Sequence, residues 1–398
     1  MKIGLFGSFA LAAIAVFALT LNASAGESFN FNSARLGVVL GLLVLLHLSR
    51  YPRFLFCREF ALYFIFVGYM VVELFWTADV TLAMNTLVPA LNFVLILVLF
   101  GALVTYHDFR AVLSGTLGGL LIGAAFYTLT QGFPFVYPVG FSYNAIAGMY
   151  LFGLFITLVY GWYTRSRVLT LSIGLSLLVL IAATTSIKTN LGILLGVTGA
   201  GLMYFKTVTR VLRRNAILFV AIAGMITYAV ASDDALVERV QAGVDRVSLG
   251  VQILTAREEL SGGYVGFALR EEWADAGLKG FAENPLFGHG VEAFRDRYGT
   301  TSHSTPVDLL YNSGLIGFVL FYAIFISMAW RLFHACDTSL GSLRALIFGA
   351  FVCYLFISLS GTMHYNAFLA VFIAISTALL HQHRRKTSRA GVSSRNVL

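Results

Sequence analysis

Residues 284–321, NPLFGHGVEAFRDRYGTTSHSTPVDLLYNSGLIGFVLF, pass from a polar, glycine-punctuated segment into a largely apolar run. That run, continued from Val307 to Trp330, is long enough to cross a bilayer as one helix, which takes about 20 residues. Similar runs recur outward from it in both directions, so the fold class expected is an all-α, polytopic membrane protein with about 12 transmembrane helices. Composition points the same way. Hydrophobic residues make up 58% of the chain and charged residues only 12%, whereas a soluble domain carries about 25% charge.

The expected spans are 3–21, 34–48, 60–76, 81–104, 111–130, 144–163, 168–185, 191–205, 215–231, 307–330, 345–361 and 365–380. Nine spans therefore fill 1–231, a large loop domain with short helices fills 232–306, three more spans fill 307–380, and a basic tail follows at 381–398. The start has the form of a signal peptide, with Lys2 ahead of an apolar run and Ala23-Ser24-Ala25 as a cleavage-type sequence. The run is long for a signal segment, and keeping it preserves a consistent topology, so it is read as the first span.

Charge sorting orients the bundle. One set of loops, which includes both termini, holds 18 of the 27 basic residues. The other set has nine, and of these only Arg35 and Lys188 lie in short loops. The first set is cytoplasmic by the positive-inside rule. Acidic residues divide the opposite way, which leaves +15 on the inner face and −7 on the outer. The overall charge of +8 is thus a topology signal; no nucleic-acid partner is expected, and the tail stretch HQHRRKTSR reads as a lipid-facing anchor. Cys57, Cys336 and Cys353 show neither metal-site nor disulfide spacing.

The large loop, 232–306, is then periplasmic, and function is expected to concentrate there. In 233–249, Leu236, Val240, Val244 and Val247 recur at helical spacing between charges, as in an amphipathic helix at the membrane surface. A second helix, 264–281, is expected to stop near Asn284-Pro285, with Gly288 and Gly290 permitting a tight turn.

Apart from His47 and the span-end residues Arg35, Glu73 and Asp308, no acidic or basic side chain or histidine lies within the spans. Pumps and ion-coupled transporters commonly place such groups along a mid-membrane path, so that class is disfavoured. Polar groups gather instead at the outer surface: Lys188, Arg270, His303 and His364. A histidine can exchange a proton near neutral pH, and two cations beside it suit a diphosphate. Each residue also has a plain reading. His303 caps the next span, Arg270 pairs with Glu259, Glu271 or Glu272, Lys188 meets lipid headgroups, His289 is a turn residue, and Glu73 and His364 are interfacial.

The stretch Asn284 to Gly290 (NPLFGHG), Phe294, His303 and the 310–321 run with Gly314-Leu-Ile-Gly317 resemble the signature of the O-antigen ligase and polysaccharide polymerase superfamily. The likeness extends to Arg270 and Trp273 at the family's Arg-x-x-Trp position, to Asn144 at the start of a span, and to Ser186–Leu195, which is similar to the family's Ser-Arg-Thr or Ser-Lys-Thr loop. It covers about the C-terminal two-thirds of the chain; the order of these short motifs is more specific than any one of them. Two departures stand out. Ser304 follows His303 where the family often has Asn, and Lys188 replaces a frequent Arg, giving a point charge in place of a bidentate fork.

The resemblance implies a fold related to the lipid-sugar glycosyltransferases, working in the bacterial inner membrane with its site facing the periplasm and with no metal or other cofactor. It implies His303 as the catalytic base and Arg270 and Lys188 as ligands of the substrate diphosphate, with His289, Asp308 and Asn144 in secondary roles. The donor would be an undecaprenyl-diphosphate-linked glycan and the acceptor a glycan or a lipid-linked sugar. The lipid bilayer is a partner, as are other polysaccharide-export components. The lysine form is closer to exopolysaccharide polymerases than to ligases that act on lipid A-core. Two other classes remain: a transporter or flippase, which predicts inverted repeats, and a structural partner in an envelope complex, for which the loop chemistry is dispensable.

Overall fold

A computed structural model describes residues 5–23, 29–106, 108–131, 143–184, 186–206, 265–334, 341–359, 361, 363, 364 and 366–395, with scattered positions between 209 and 245. Among the described residues there is no β-strand. The first helices are α1 (Leu5–Ala23), α2 (Phe29–Leu48), α3 (Arg58–Glu73), α4 (Val80–Tyr106), α5 (Phe109–Gln131), α6 (Tyr143–Thr164), α7 (Arg167–Ala183) and α8 (Ile187–Met203). After the scattered region come α9 (Val265–Glu283), α10 (Ala293–Tyr298), α11 (Thr305–His334), α12 (Gly341–Leu359) and α13 (Ala367–Arg395).

Among the described residues, five helices are long and apolar enough to cross a membrane: Val80–Tyr106, Phe109–Thr130, Asn144–Thr164, Thr305–His334 and Gly341–Leu359. Shorter apolar helices, Phe6–Leu21, Ser33–Leu48, Arg167–Ala183 and Ala367–His381, match four more of the expected spans. The chain is an all-helical membrane protein. Helices suit that setting because lipid offers no partners for backbone N–H and C=O groups. Large apolar side chains such as Leu45, Ile65, Leu194 and Ile326 stand exposed on the bundle surface, while Phe60, Tyr63, Phe66 and Phe93 are buried within it. The ninth expected span, 215–231, and the amphipathic stretch 233–249 fall where only scattered residues are described.

Two helix pairs set the frame of the site. In the first, α3 is pinned to α11 near both ends. Glu59 accepts hydrogen bonds from Arg331 Nε and Ser327 Oγ, each at 2.7 Å. At the other end Ser313 Oγ donates to Glu73 Oε2 at 3.0 Å. The expected span 60–76 leaves Glu59 outside the membrane helix, in the loop before it. The helix starts at Arg58, two residues earlier than expected, and draws Glu59 into the packing, where it is fully buried. Glu73, at the end of α3, is likewise buried. In the second pair, α8 lies on α12 with no side chain between them at Gly196, where a Cβ would overlap the Gly349 carbonyl. That close approach, of the kind small residues allow between membrane helices, carries the start of α8 to the end of α12.

Between these pairs α11 is broken. Gly314, at φ 62° and ψ −164°, interrupts the helix, and the turn after α9 takes up the exposed backbone. His289 N–H donates to Tyr311 O at 3.0 Å, Gly290 N–H to Asn312 O at 2.8 Å, and Leu315 N–H to Pro285 O at 2.8 Å. Irregular backbone at membrane depth is tolerated where protein covers it. Gly288 and Gly314, both at positive φ, make the contact possible: a Cβ on either would lie within 2.7 Å of the other's backbone nitrogen. The glycines of the NPLFGHG and GLIG stretches therefore serve one joint.

Candidate functional site

His303 lies between the α10 turn and the first residue of α11. It is exposed, and its backbone is left-handed at φ 59°, a conformation that costs an L-residue roughly 1–2 kcal/mol. Its neighbours fix that backbone. Ser302 N–H donates to Asp308 Oδ1 at 2.9 Å, Ser302 Oγ donates to Ser304 O at 3.0 Å, and Ser304 N–H donates back to Ser302 Oγ at 3.2 Å. The imidazole faces Trp273 of α9, with ring centroids 5.4 Å apart. Asp308 thus orients the segment carrying His303 through the backbone, a contact that the five-residue spacing did not disclose.

Thr305 joins this segment to the rest of the bundle. Its hydroxyl donates to Gly361 O at 2.5 Å and accepts Met363 N–H at 2.8 Å. Gly361 in turn abuts Lys188: a Cβ there would stand 2.5 Å from Lys188 Nζ. Lys188, His303 and Trp273 are therefore at one end of the bundle, linked through Thr305 and Gly361. Arg270 belongs to α9 one turn before Trp273, so the backbone puts it on the same side of that helix; its side chain is outside the described residues.

The Lys188 turn is held from α6. Ser186 Oγ donates to Asn144 Oδ1 at 2.9 Å and lies 3.0 Å from Thr189 Oγ1, while Asn190 Nδ2 donates to Ser186 O at 3.0 Å. Ser186 makes no side-chain cap on α8. The positive end of that helix's dipole accompanies the lysine. Asn144 has a supporting place, therefore, two contacts from Lys188. His289 is built into packing: Nε2 lies 2.9 Å from Gly280 O and its ring 4.6 Å from that of Tyr311.

One residue escaped the sequence reading. Glu292, at the start of α10, has φ 61° and is buried with 6% of its surface exposed. Thr86 of α4 donates to its Oε1, and Oε2 has no hydrogen-bond partner among the described residues. Burial pushes its carboxyl above the usual range, against the Thr86 bond and nearby Arg295. Glu292 shares a cavity of ≈ 10 Å³ with Thr301, Asp308, Asn312 and His364, the lower limit for one water. A charged residue between Val291 and Ala293 gives no periodic signal; only its position in a glycine-flanked, apolar tract hints at a special role. His364 also departs from expectation. It is 5% exposed, its rings neighbours are Phe66 and Phe321, and burial lowers its pKa to about 3. The reason is that Gly361 and Met363 bond Thr305 while the Tyr63 hydroxyl donates to His364 O at 2.8 Å, which holds His364 inward.

Among the described residues no group of three or more His, Cys, Asp and Glu could hold a metal ion. No protein-family model and no curated protein matches the chain.

Proposed function

We propose that the chain is an inverting membrane glycosyltransferase. It moves a glycan from undecaprenyl diphosphate to a sugar hydroxyl and polymerises the repeat units of a surface or exo-polysaccharide. The observation that carries this reading is the meeting, at one end of the bundle, of an exposed imidazole on a strained, hydrogen-bonded loop with Trp273 and, through Thr305 and Gly361, with Lys188. Strained backbone that its surroundings hold in place is a mark of functional sites.

In the proposed step His303 accepts the proton of the acceptor hydroxyl as that oxygen attacks the anomeric carbon. The bond from that carbon to the diphosphate oxygen breaks on the opposite face, and its electron pair leaves with the diphosphate. Lys188, Arg270 and the amino end of α8 neutralise the charge that develops there. The diphosphate and the glycan meet the chain at the outer surface of the inner membrane, as the basic inner loops require of a periplasmic site, with both termini in the cytoplasm.

The test uses the purified full-length protein with an undecaprenyl-diphosphate repeat unit as donor and either more repeat unit or lipid A-core as acceptor. Elongation of the repeat unit, lost in His303→Ala, supports the polymerase. Elongation of lipid A-core alone shows a ligase instead, and transfer that persists without His303 removes the proposed chemistry.

A further inference from the structure

A second cleft, ≈ 390 Å³ in volume, lies between α9 and α10, within the roughly 300–1,000 Å³ of small-molecule sites. Its walls carry Glu272, Asp275, Lys279 and Glu283 from α9 and Arg297 and Tyr298 from α10. The four α9 residues recur at helical spacing, so they form one ridge roughly 16 Å long. The floor is built without them. Gly277 and Gly280 bring α9 against Val307 and Tyr311 of α11, where a Cβ on either glycine would overlap those side chains. Phe294 fills the space beside Tyr311 and Tyr298, with ring centroids at 5.2 Å and 4.6 Å. The shape of the cleft is thus set by a buried aromatic cluster, and its polar wall is left facing outward.

That wall has a recognisable chemistry. Three carboxylates and two cations line it, with Lys279 between Asp275 and Glu283 on the ridge and Arg297 opposite, which gives both acceptors and donors; a sugar hydroxyl is both donor and acceptor. The excess of one negative charge disfavours a phosphate or a uronic acid. Tyr298, 37% exposed, offers an aromatic face for the C–H side of a pyranose. Among the described residues the Glu283–Arg297 ion pair crosses the cleft, at 4.0 Å with both side chains more than half exposed, and such a pair is weak enough to open. Position supplies the link to the site: the cleft runs along α9, the helix whose Trp273 ring faces His303.

We infer that this cleft holds a short run of neutral, hydroxyl-rich sugar units of the glycan whose reacting end lies at His303. The inference rests on the transferase reading above. The glycan is either the growing chain carried by the donor or the incoming acceptor, and the two are separable by kinetics.

The test compares the double variant Asp275→Asn/Glu283→Gln and the single variant Tyr298→Ala with the wild type. The full-length protein is supplied with the producing strain's undecaprenyl-diphosphate repeat unit. All three residues are exposed, so the fold is expected to tolerate the changes, and matched thermal unfolding checks this. If the cleft holds the growing chain, product length falls about three- to tenfold at an unchanged initial rate; if it holds the acceptor, KM for the acceptor rises by a similar factor with kcat retained. Unchanged length and unchanged KM in both variants, with His303→Ala inactive, overturn the cleft and spare the transferase. No transfer by the wild type overturns the transferase reading on which the cleft depends, and full transfer in His303→Ala overturns the placing of the reacting end at His303.

Discussion

Two turns at the same end of the bundle force an ordinary residue into left-handed backbone, Glu292 at φ 61° and His303 at φ 59°, and their side chains have opposite surroundings. Glu292 is buried, bonded by Thr86 of α4 and enclosed with Asp308 and His364. His303 is exposed, while the residues on either side of it are tied down by Asp308 and Ser302. Similar strain therefore does different things. At Glu292 it lets a carboxyl reach inward and hold α10 against α4. At His303 it holds an imidazole outward from a fixed backbone, which is the requirement for a positioned base.

If that contrast is right, the largest effect belongs to His303→Ala: transfer falls by about 10²–10⁴-fold with the melting temperature unchanged, measured on purified protein. A melting temperature several degrees lower would make His303 another framework residue. Next comes Lys188→Ala, expected to lose roughly 10–100-fold in transfer as a charge-assisted contact disappears, with Lys188→Arg retaining most activity. Equal losses in both variants would show that packing at Gly361, not charge, is what Lys188 contributes.

Glu292→Ala is expected to reverse the pattern of His303→Ala. It leaves the Thr86 hydroxyl without its acceptor and lowers stability by roughly 1–3 kcal/mol, while activity per folded molecule is largely kept. Full stability with lost activity would move Glu292 into the reaction. The smallest effect is one of acid stability. His364 is held neutral in the fold, with a pKa of about 3 against about 6.5 when unfolded. The unfolded chain binds the proton first, so stability drops as pH falls below about 6.5, by about 1 kcal/mol at pH near 5.5. Glu292, whose carboxyl is raised, contributes with the opposite sign. The measure is therefore the difference in pH slope between wild type and His364→Asn, and identical slopes would contradict a buried neutral His364.

What was legible in the sequence follows from what local pattern carries. The apolar runs disclosed the helices, and Asn284-Pro285 marked the end of α9, which stops at Glu283, because those signals act over neighbouring residues. Gly288 was visible as a turn residue and Gly314 only as part of a family signature within an expected span, but not that the two face one another. Contacts across the bundle left no trace of that kind. Glu59 stands just outside the expected span 60–76, yet Arg331 and Ser327 bond it inside the bundle, and neither the burial of Glu292 nor the path from Thr305 through Gly361 to Lys188 has any sequence spacing to reveal it. Of the site, the residue types and their order were readable; the distances that make them a site were not.

The most direct test of the central claim removes the imidazole without disturbing the left-handed turn. In His303→Gly the backbone strain is relieved, since glycine adopts positive φ freely, so the loop is retained and only the imidazole is lost. With the undecaprenyl-diphosphate repeat unit as substrate, transfer by His303→Gly is predicted to be lost and then restored, saturably, by added imidazole. Transfer that proceeds without imidazole, or that imidazole fails to restore in a variant of full stability, would contradict a role for His303 as the base.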